Sequence, residues 1–406
     1  LPARKWIWGG VAVGFGVFLA WQIVVQAALQ VSEPTTALRL APHSGNALAR
    51  VAEAELAAGH PAAAERLARQ ALLVGPHNVR AIRVLGISRE QLGDPEVADE
   101  LVTAAGNMSL RDGPAHTWLV EKRLKQGEYR SALAHADAVM RRKPQTWPAY
   151  FTLLHALIKE EPRFLPALAE RLAPNPRWRK RYLASLNGEP EGMTSTIALA
   201  IMLQGSEHPF SDEEMSTLLS RLVQEGHFKA VATFRQQIPS LGPVANIRDG
   251  AFEGSSGPAP IRWQFELGEG ALVEILPDET RPNQTALRVE YDGFASHGLV
   301  SQYESLPPGQ YTLEGQWRSE TPVPKDRIAW ALTCAGGKQV VLAKSSPSPA
   351  AEPVEAWQAF SIDFEVPDSD CEGQWLRLSP QPGSRRNTVV VWYDGLRIRP
   401  SKGRAQ

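Results

Sequence analysis

Few residues in this chain are placed to make or break bonds. Its nine histidines do not fall at metal-ligand spacing. His43, His60 and His77 recur every 17 residues, in what read as turns between helices, and are read as structural. No G-x-S-x-G, H-E-x-x-H, Walker-type loop or dinucleotide fingerprint occurs. Glycoside hydrolysis needs two carboxylates flanking a cleft, and nothing in the sequence nominates such a pair. The expectation is a protein that is not an enzyme. The two cysteines, Cys334 and Cys371, both lie in the C-terminal part. In an oxidising compartment, two cysteines in one small domain read as a disulfide. It would close a loop of about 37 residues and add ~3–4 kcal/mol; the alternative is two buried thiols. The basic run RWRKRY, Arg177 to Tyr182, reads as a solvated face, with an acidic partner, anionic lipid or glycan as the alternative.

The chain has 406 residues and a net charge of −1, room for two or three domains and no basic footprint for nucleic acid. Between Lys5 and Glu33 it carries no charge. Positions 6–31 would reach roughly 39 Å as a helix, enough to cross a hydrocarbon core of about 30 Å. Residues 1–32 are therefore expected to be an uncleaved transmembrane anchor. Arg4 and Lys5 place the N-terminus in the cytoplasm by the positive-inside rule. The expected location is a bacterial inner membrane, crossed once, with the rest of the chain periplasmic. Gly10 and Gly14, with Gly16 offset by two, form a small-residue face, and Gln22, Gln26 and Gln30 share another. Both suit packing against an integral membrane partner. A signal peptide is the competing reading.

Residues 35–240 are rich in Ala, Leu, Arg and Glu, and they repeat. Gly59, Gly93 and Gly127 are 34 apart, as are Ala64, Ala98 and Ala132, and Val51, Leu85 and Leu119. Pro42, Pro76 and Pro144 keep the same phase, with Leu110 in the missing place. A glycine between two helices and a proline after the second, at this period, resembles the tetratricopeptide repeat. The resemblance implies an all-α solenoid, clear over 42–144 and degenerate over 145–240, whose groove binds a protein partner. The family's large aromatic is replaced by Leu48, Ile82 and His116. Ser211 and Glu214 stand at capping-box spacing, starting a further helix pair.

From 246 to 400 the period becomes two. Ten segments, from IRWQFEL to TVVVWYDGLRI, read as strands separated by turns such as PPGQ and AGGK, followed by a tail, 401–406. This predicts an all-β jelly-roll sandwich. The opening IRDGAFEGSSGPAPIRWQFE, the hairpin YESLPPGQYTLEGQWRSE and the closing VVVWYDGLRIRP are similar to the galactose-binding-like and carbohydrate-binding-module sandwiches. That resemblance implies a structural calcium on Asp249, Glu253 and Asp394, or else that Asp249 and Asp394 organise turns. It also implies sugar stacking on an exposed ring. Trp263, Tyr303, Trp317, Trp330, Trp375 and Trp392 read as core, which leaves Trp357, after a long loop, as the stacking candidate. No other cofactor is expected. The combined expectation is a multidomain, membrane-anchored, non-catalytic scaffold in envelope polysaccharide synthesis or export. Two alternatives stand beside it: a subunit of another inner-membrane complex docked through its anchor, and a carbohydrate-active enzyme.

Overall fold

The computed structural model describes residues 33–401 apart from 243–246, 255–256, 267, 295, 337–339 and 384–385. The chain divides into two compact units after Leu153. The first unit opens with α1 (Pro34–Leu40). Three helix pairs follow: α2 (Gly45–Ala57) with α3 (Pro61–Val74), α4 (Val79–Gln91) with α5 (Pro95–Met108), and α6 (Gly113–Lys125) with α7 (Tyr129–Arg142). The helix starts are written locally. Ser44, Asn78 and Asp112 each accept the backbone N–H three residues on, capping α2, α4 and α6. Proline sits in the first turn of α3 and α5, where its missing N–H costs nothing. Gly59, Gly93 and Gly127 take φ of 81, 93 and 72°, the left-handed turn that a side chain resists. Ala64, Ala98 and Ala132 are buried at the helix contacts, where any larger side chain would push the pair apart. The region is thus a helical repeat, with the period seen in the sequence.

α8 (Trp147–Glu160) spans the division. The second unit continues with α9 (Phe164–Leu172), α10 (Arg179–Gly188), α11 (Gly192–Leu203), α12 (Asp212–Gln224) and α13 (Phe228–Gln237). The capping box of Ser211 and Glu214 is formed at the start of α12. The basic run is split: Arg177, Lys180 and Arg181 are exposed, as a solvated face requires, and Arg179 is not. Arg179 is 1% exposed and binds Glu214 at 2.8 Å and the carbonyls of Leu172, His208 and Pro209, while Trp178 and Tyr182 are fully buried. Lys180, by contrast, pairs with Glu213 at the surface.

All ten expected strands form: β1 (Gln264–Phe265), β2 (Ala271–Pro277), β3 (Thr285–Tyr291), β4 (Val300–Glu304), β5 (Gly309–Ser319), β6 (Ile328–Cys334), β7 (Val341–Ser345), β8 (Gln358–Val366), β9 (Gln374–Pro380) and β10 (Val389–Pro400). They make two five-stranded sheets, ordered β1-β4-β9-β6-β7 and β2-β3-β10-β5-β8, with every paired neighbour antiparallel. Trp263, Trp317, Trp330, Leu287, Val289, Leu376 and Tyr393 fill the space between the sheets. Cys334 and Cys371 are joined in a disulfide.

Two expectations are corrected. The fold class included a membrane-crossing helix, and the location was an inner membrane crossed once. Among the described residues, no helix is long and apolar enough to cross a membrane, so the architecture is helical repeat followed by jelly-roll-like sandwich. The segment that prompted both readings, residues 1–32 with Gly10, Gly14, Gly16, Gln22, Gln26 and Gln30, lies outside the described residues.

Candidate functional site

The two outer faces of the sandwich have different surroundings. On the first sheet, Tyr303 of β4 and Trp375 of β9 pack edge-to-face at 5.4 Å, and Phe228 of α13 stacks on Tyr303 at 6.3 Å. Tyr303 thereby joins the core of α11–α13, with Met215, Leu218 and Phe234. Beside it Arg235 reaches Glu304 at 3.7 Å, both side chains 1% exposed. Burial, opposed by Arg235, pushes the Glu304 carboxyl up to about 8. This part of the first sheet is used up in holding helices.

The outer face of the second sheet carries a polar and aromatic layer, much of it packed down: Arg318, Trp392 and Asp394 are 8%, 5% and 8% exposed. Strand alternation sends Leu313 and Trp317 of β5 and Val391 and Tyr393 of β10 into the core, so Gln316, Arg318, Trp392 and Asp394 lie on the other side. Arg318 stands 4.4 Å from the Trp392 ring and 5.6 Å from the Trp357 ring, and Arg281 lies over Trp357 at 4.0 Å. The guanidinium planes and indole faces attract by cation–π contact. Asp278, whose side chain is fully buried, ties the stack together. It accepts from Thr280, Arg281 at 2.6 Å, Arg318 at 3.3 Å and the Trp357 indole at 3.1 Å. Burial works against its charge, but the hydrogen bonds from Arg281 and Thr280 prevail and hold the carboxyl at about 2.

Next to this stack the pairing of β10 with β5 slips between Asp394 and Arg397, and Gly395 takes φ 63°. The bulge opens a depression of about 480 Å3. Its polar lining comes from Arg281, Gln284, Glu314, Gln316, Ser361, Asp394 and Arg397, while Phe360, opposite Gly315 on the core-facing side of β8, packs against the sandwich core. Arg281 binds Asp394 at 2.7 Å and Arg397 binds Glu314 at 2.5 Å, so donors and acceptors alternate around it. Burial raises the Asp394 carboxyl, with the Gly395 N–H and Arg281 acting against it. Such a surface can bind a neutral, hydroxyl-rich molecule through paired donor and acceptor bonds.

The residues nominated from sequence fare differently. Trp357 does border this face, but it is half-buried, its N–H is held by Asp278 and Thr280, and Arg281 covers its ring. Asp249 accepts the N–H groups of Glu253 and Gly254, a turn-forming role, while Asp394 is paired with Arg281. Glu253 is exposed. Among the described residues, no three His, Cys, Asp or Glu gather as a metal site would require. Trp263, Tyr303, Trp317 and Trp330 are buried, as their alternation implied. Asp278, Arg281 and Arg318 escaped the sequence reading. Their only signal was an acid and a base three apart in the turn after β2, together with a cation at an outward position of β5.

Fold and site together define a helical-repeat protein that carries a jelly-roll-like sandwich with a polar depression at the β10 bulge. No protein-family model matches the chain, and no curated protein matches it. Several solved structures are similar over the sandwich. One, described as CBM4, is 15% identical, covering 38% of this chain and 99% of its own at a TM-score of 0.30. The CBM22-1 xylan-binding domain of Paenibacillus barcinonensis Xyn10C is 14% identical, covering 40% and 99% at 0.27. A family 16 carbohydrate-binding module is 14% identical, covering 38% and 98% at 0.27.

Proposed function

We propose that this protein is a non-catalytic glycan-binding scaffold, and that its sandwich holds sugar in the depression at the β10 bulge. The observation that carries this reading is the open ring of alternating guanidinium, amide and carboxylate groups around Gly395, on the face that helices leave uncovered. A pyranose presents hydroxyls that both donate and accept, with an apolar C–H face. The lining offers both kinds of polar partner for those hydroxyls. The helical array, in the same reading, is a surface of the tetratricopeptide class for a protein partner; its 34-residue period and the left-handed glycines Gly59, Gly93 and Gly127 support this.

The test is a glycan array with the full-length chain, followed by calorimetry on any hit. Binding should occur and should weaken by tenfold or more when Gln316 and Arg397 are both replaced by alanine. A chain that binds no glycan, or a double variant that binds as well as the parent, would falsify the assignment.

A further inference from the structure

The turns that join one repeat to the next in the first unit carry a pattern that helix packing does not require. Leu40, Val74 and Met108 end α1, α3 and α5; they are 34 residues apart and 71%, 54% and 44% exposed. Single exposed apolar residues are ordinary, but these recur at one position of the repeat. Three residues after each comes an exposed basic or imidazole side chain: His43, His77 and Arg111. The sequences are LAPH, VGPH and MSLR; the next unit, ending in Arg142, breaks the apolar row.

Val74, His77 and Arg111 share the wall of a cavity of about 940 Å3, at the N-terminal ends of α2, α4 and α6. Its lining holds four arginines, Arg50, Arg80, Arg83 and Arg111, against two carboxylates, Glu53 and Asp112. Both carboxylates are engaged. Arg83, 4% exposed, binds Glu53 at 2.6 Å and Asp112 at 2.8 Å, and Arg80 adds a second contact to Glu53 at 3.2 Å. The lining therefore holds more guanidinium than carboxylate groups, with Arg80 and Arg111 exposed beside an exposed aliphatic side chain, Val74.

We propose that this edge of the array binds an extended protein segment in which acidic side chains are interleaved with apolar ones. The proposal rests on the reading of the array as a partner-binding surface, and adds the partner's chemistry and the place it occupies. Guanidinium groups favour carboxylates, which they can bind through two parallel hydrogen bonds. The aliphatic row favours a peptide over an anionic glycan, because scattered Leu, Val and Met side chains offer no aromatic face for a sugar ring and no partner for its hydroxyls.

The probe is a labelled peptide of repeated Leu-Glu-Glu, about 15 residues and roughly 50 Å when extended. Fluorescence polarisation follows its binding to the full-length chain, beside Leu-Ser-Ser and Leu-Lys-Lys peptides and with an oligogalacturonate as competitor. The acidic peptide should bind best. Its affinity should fall tenfold or more in about 0.5 M salt, where charges are screened within ~4 Å. Combined His77→Glu and Arg111→Glu should cost tenfold, and Val74→Asp about fivefold; these side chains are exposed, so melting curves should barely move. Equal or better binding of the neutral or basic peptide overturns the acidic assignment and leaves the partner-binding reading standing. Failure of all three peptides overturns both. Displacement by the oligogalacturonate at equal concentration assigns the cavity to anionic glycan instead, and unchanged binding by the variants refutes the location.

Discussion

The two faces of the sandwich put the same chemical ingredients to opposite uses. Each has an aromatic cluster and a buried acid beside arginine. On the first sheet the cluster, Tyr303 with Trp375, is covered by α13, and Glu304 is raised to about 8 by burial. On the second sheet the cluster, Trp357 with Trp392, is interleaved with arginines, and Asp278 is lowered to about 2 by its hydrogen bonds. The difference is the number of donors. Asp278 accepts from Thr280, Arg281, Arg318 and Trp357, whereas Glu304 has one cation at 3.7 Å. A buried carboxylate with several donors stays ionised, and one with few takes up a proton. The covered face therefore works as a joint, and the second sheet's outer face as a rigid polar platform.

The sharpest way to break this contrast is at Tyr303. Tyr303→Ala removes a fully buried ring from the joint, and aromatic-to-alanine changes in cores cost about 3–5 kcal/mol. Hydrogen exchange should then show α12, α13 and β4 losing protection together. If the helices alone lose protection, the shared core is not a joint. The disulfide comes next. Cys334 lies in the last pair of the β6–β9 ladder, opposite Gln374, and Cys371 leads into that ladder. Replacing both cysteines by serine should lower stability by about 2–4 kcal/mol in chemical denaturation, and the change should not touch the second sheet's exchange pattern.

pH separates the faces by sign. Glu304 holds its proton more tightly folded, at about 8, than at its ordinary 4.5. Its stabilising contribution is complete below the ordinary value and is lost as pH rises through 8. Asp278 holds its proton less tightly folded, at about 2, than at its ordinary 3.8. Its contribution is present above the ordinary value and is lost as pH falls through 2. Thermal midpoints followed by near-ultraviolet circular dichroism should thus decline between pH 5 and 8.5 in the parent. Glu304→Gln should flatten that decline and leave the acid limb in place, while Asp278→Asn should do the reverse. The same decline in Glu304→Gln as in the parent would dismiss the joint carboxyl as its source.

Much of this was legible in the sequence, and what was not shares a cause. The ten strands, the 34-residue period and the capping box of Ser211 announce themselves through local periodicity and turn chemistry. The cysteine pair needed only proximity within one domain. Arg179 was misread because a basic run looks the same whether its middle residue meets solvent or Glu214, 35 positions away. Asp394 has a related history: Arg281, far from it in sequence, is the positive charge that it meets, and Asp249 caps a turn instead. Trp357 was nominated as an exposed ring, but it is half-buried and its face is covered by Arg281, a neighbour that no spacing rule connects to it. Pairings across long separations decide whether a polar group is a site or a strut, and one sequence does not print them.

The smallest effect on stability is expected where the proposed function is most exposed. Arg397 is 51% exposed, and its bond to Glu314 sits at the rim of the depression. Exposed ion pairs contribute about 0–1 kcal/mol, so Arg397→Ala should shift denaturation midpoints little. Its effect on sugar should be larger, because a bound hydroxyl replaces water around a group that remains charged. An affinity loss of threefold or more with an unchanged melting curve would separate platform from joint at one residue. The companion measurement is Arg235→Ala on the covered face, where the balance should invert: stability falls, because Glu304 loses the guanidinium 3.7 Å away, and glycan affinity at a folded temperature holds. If Arg397→Ala instead unfolds the protein and leaves sugar binding intact, the second face is structural as well, and the binding surface must be sought elsewhere on the sandwich.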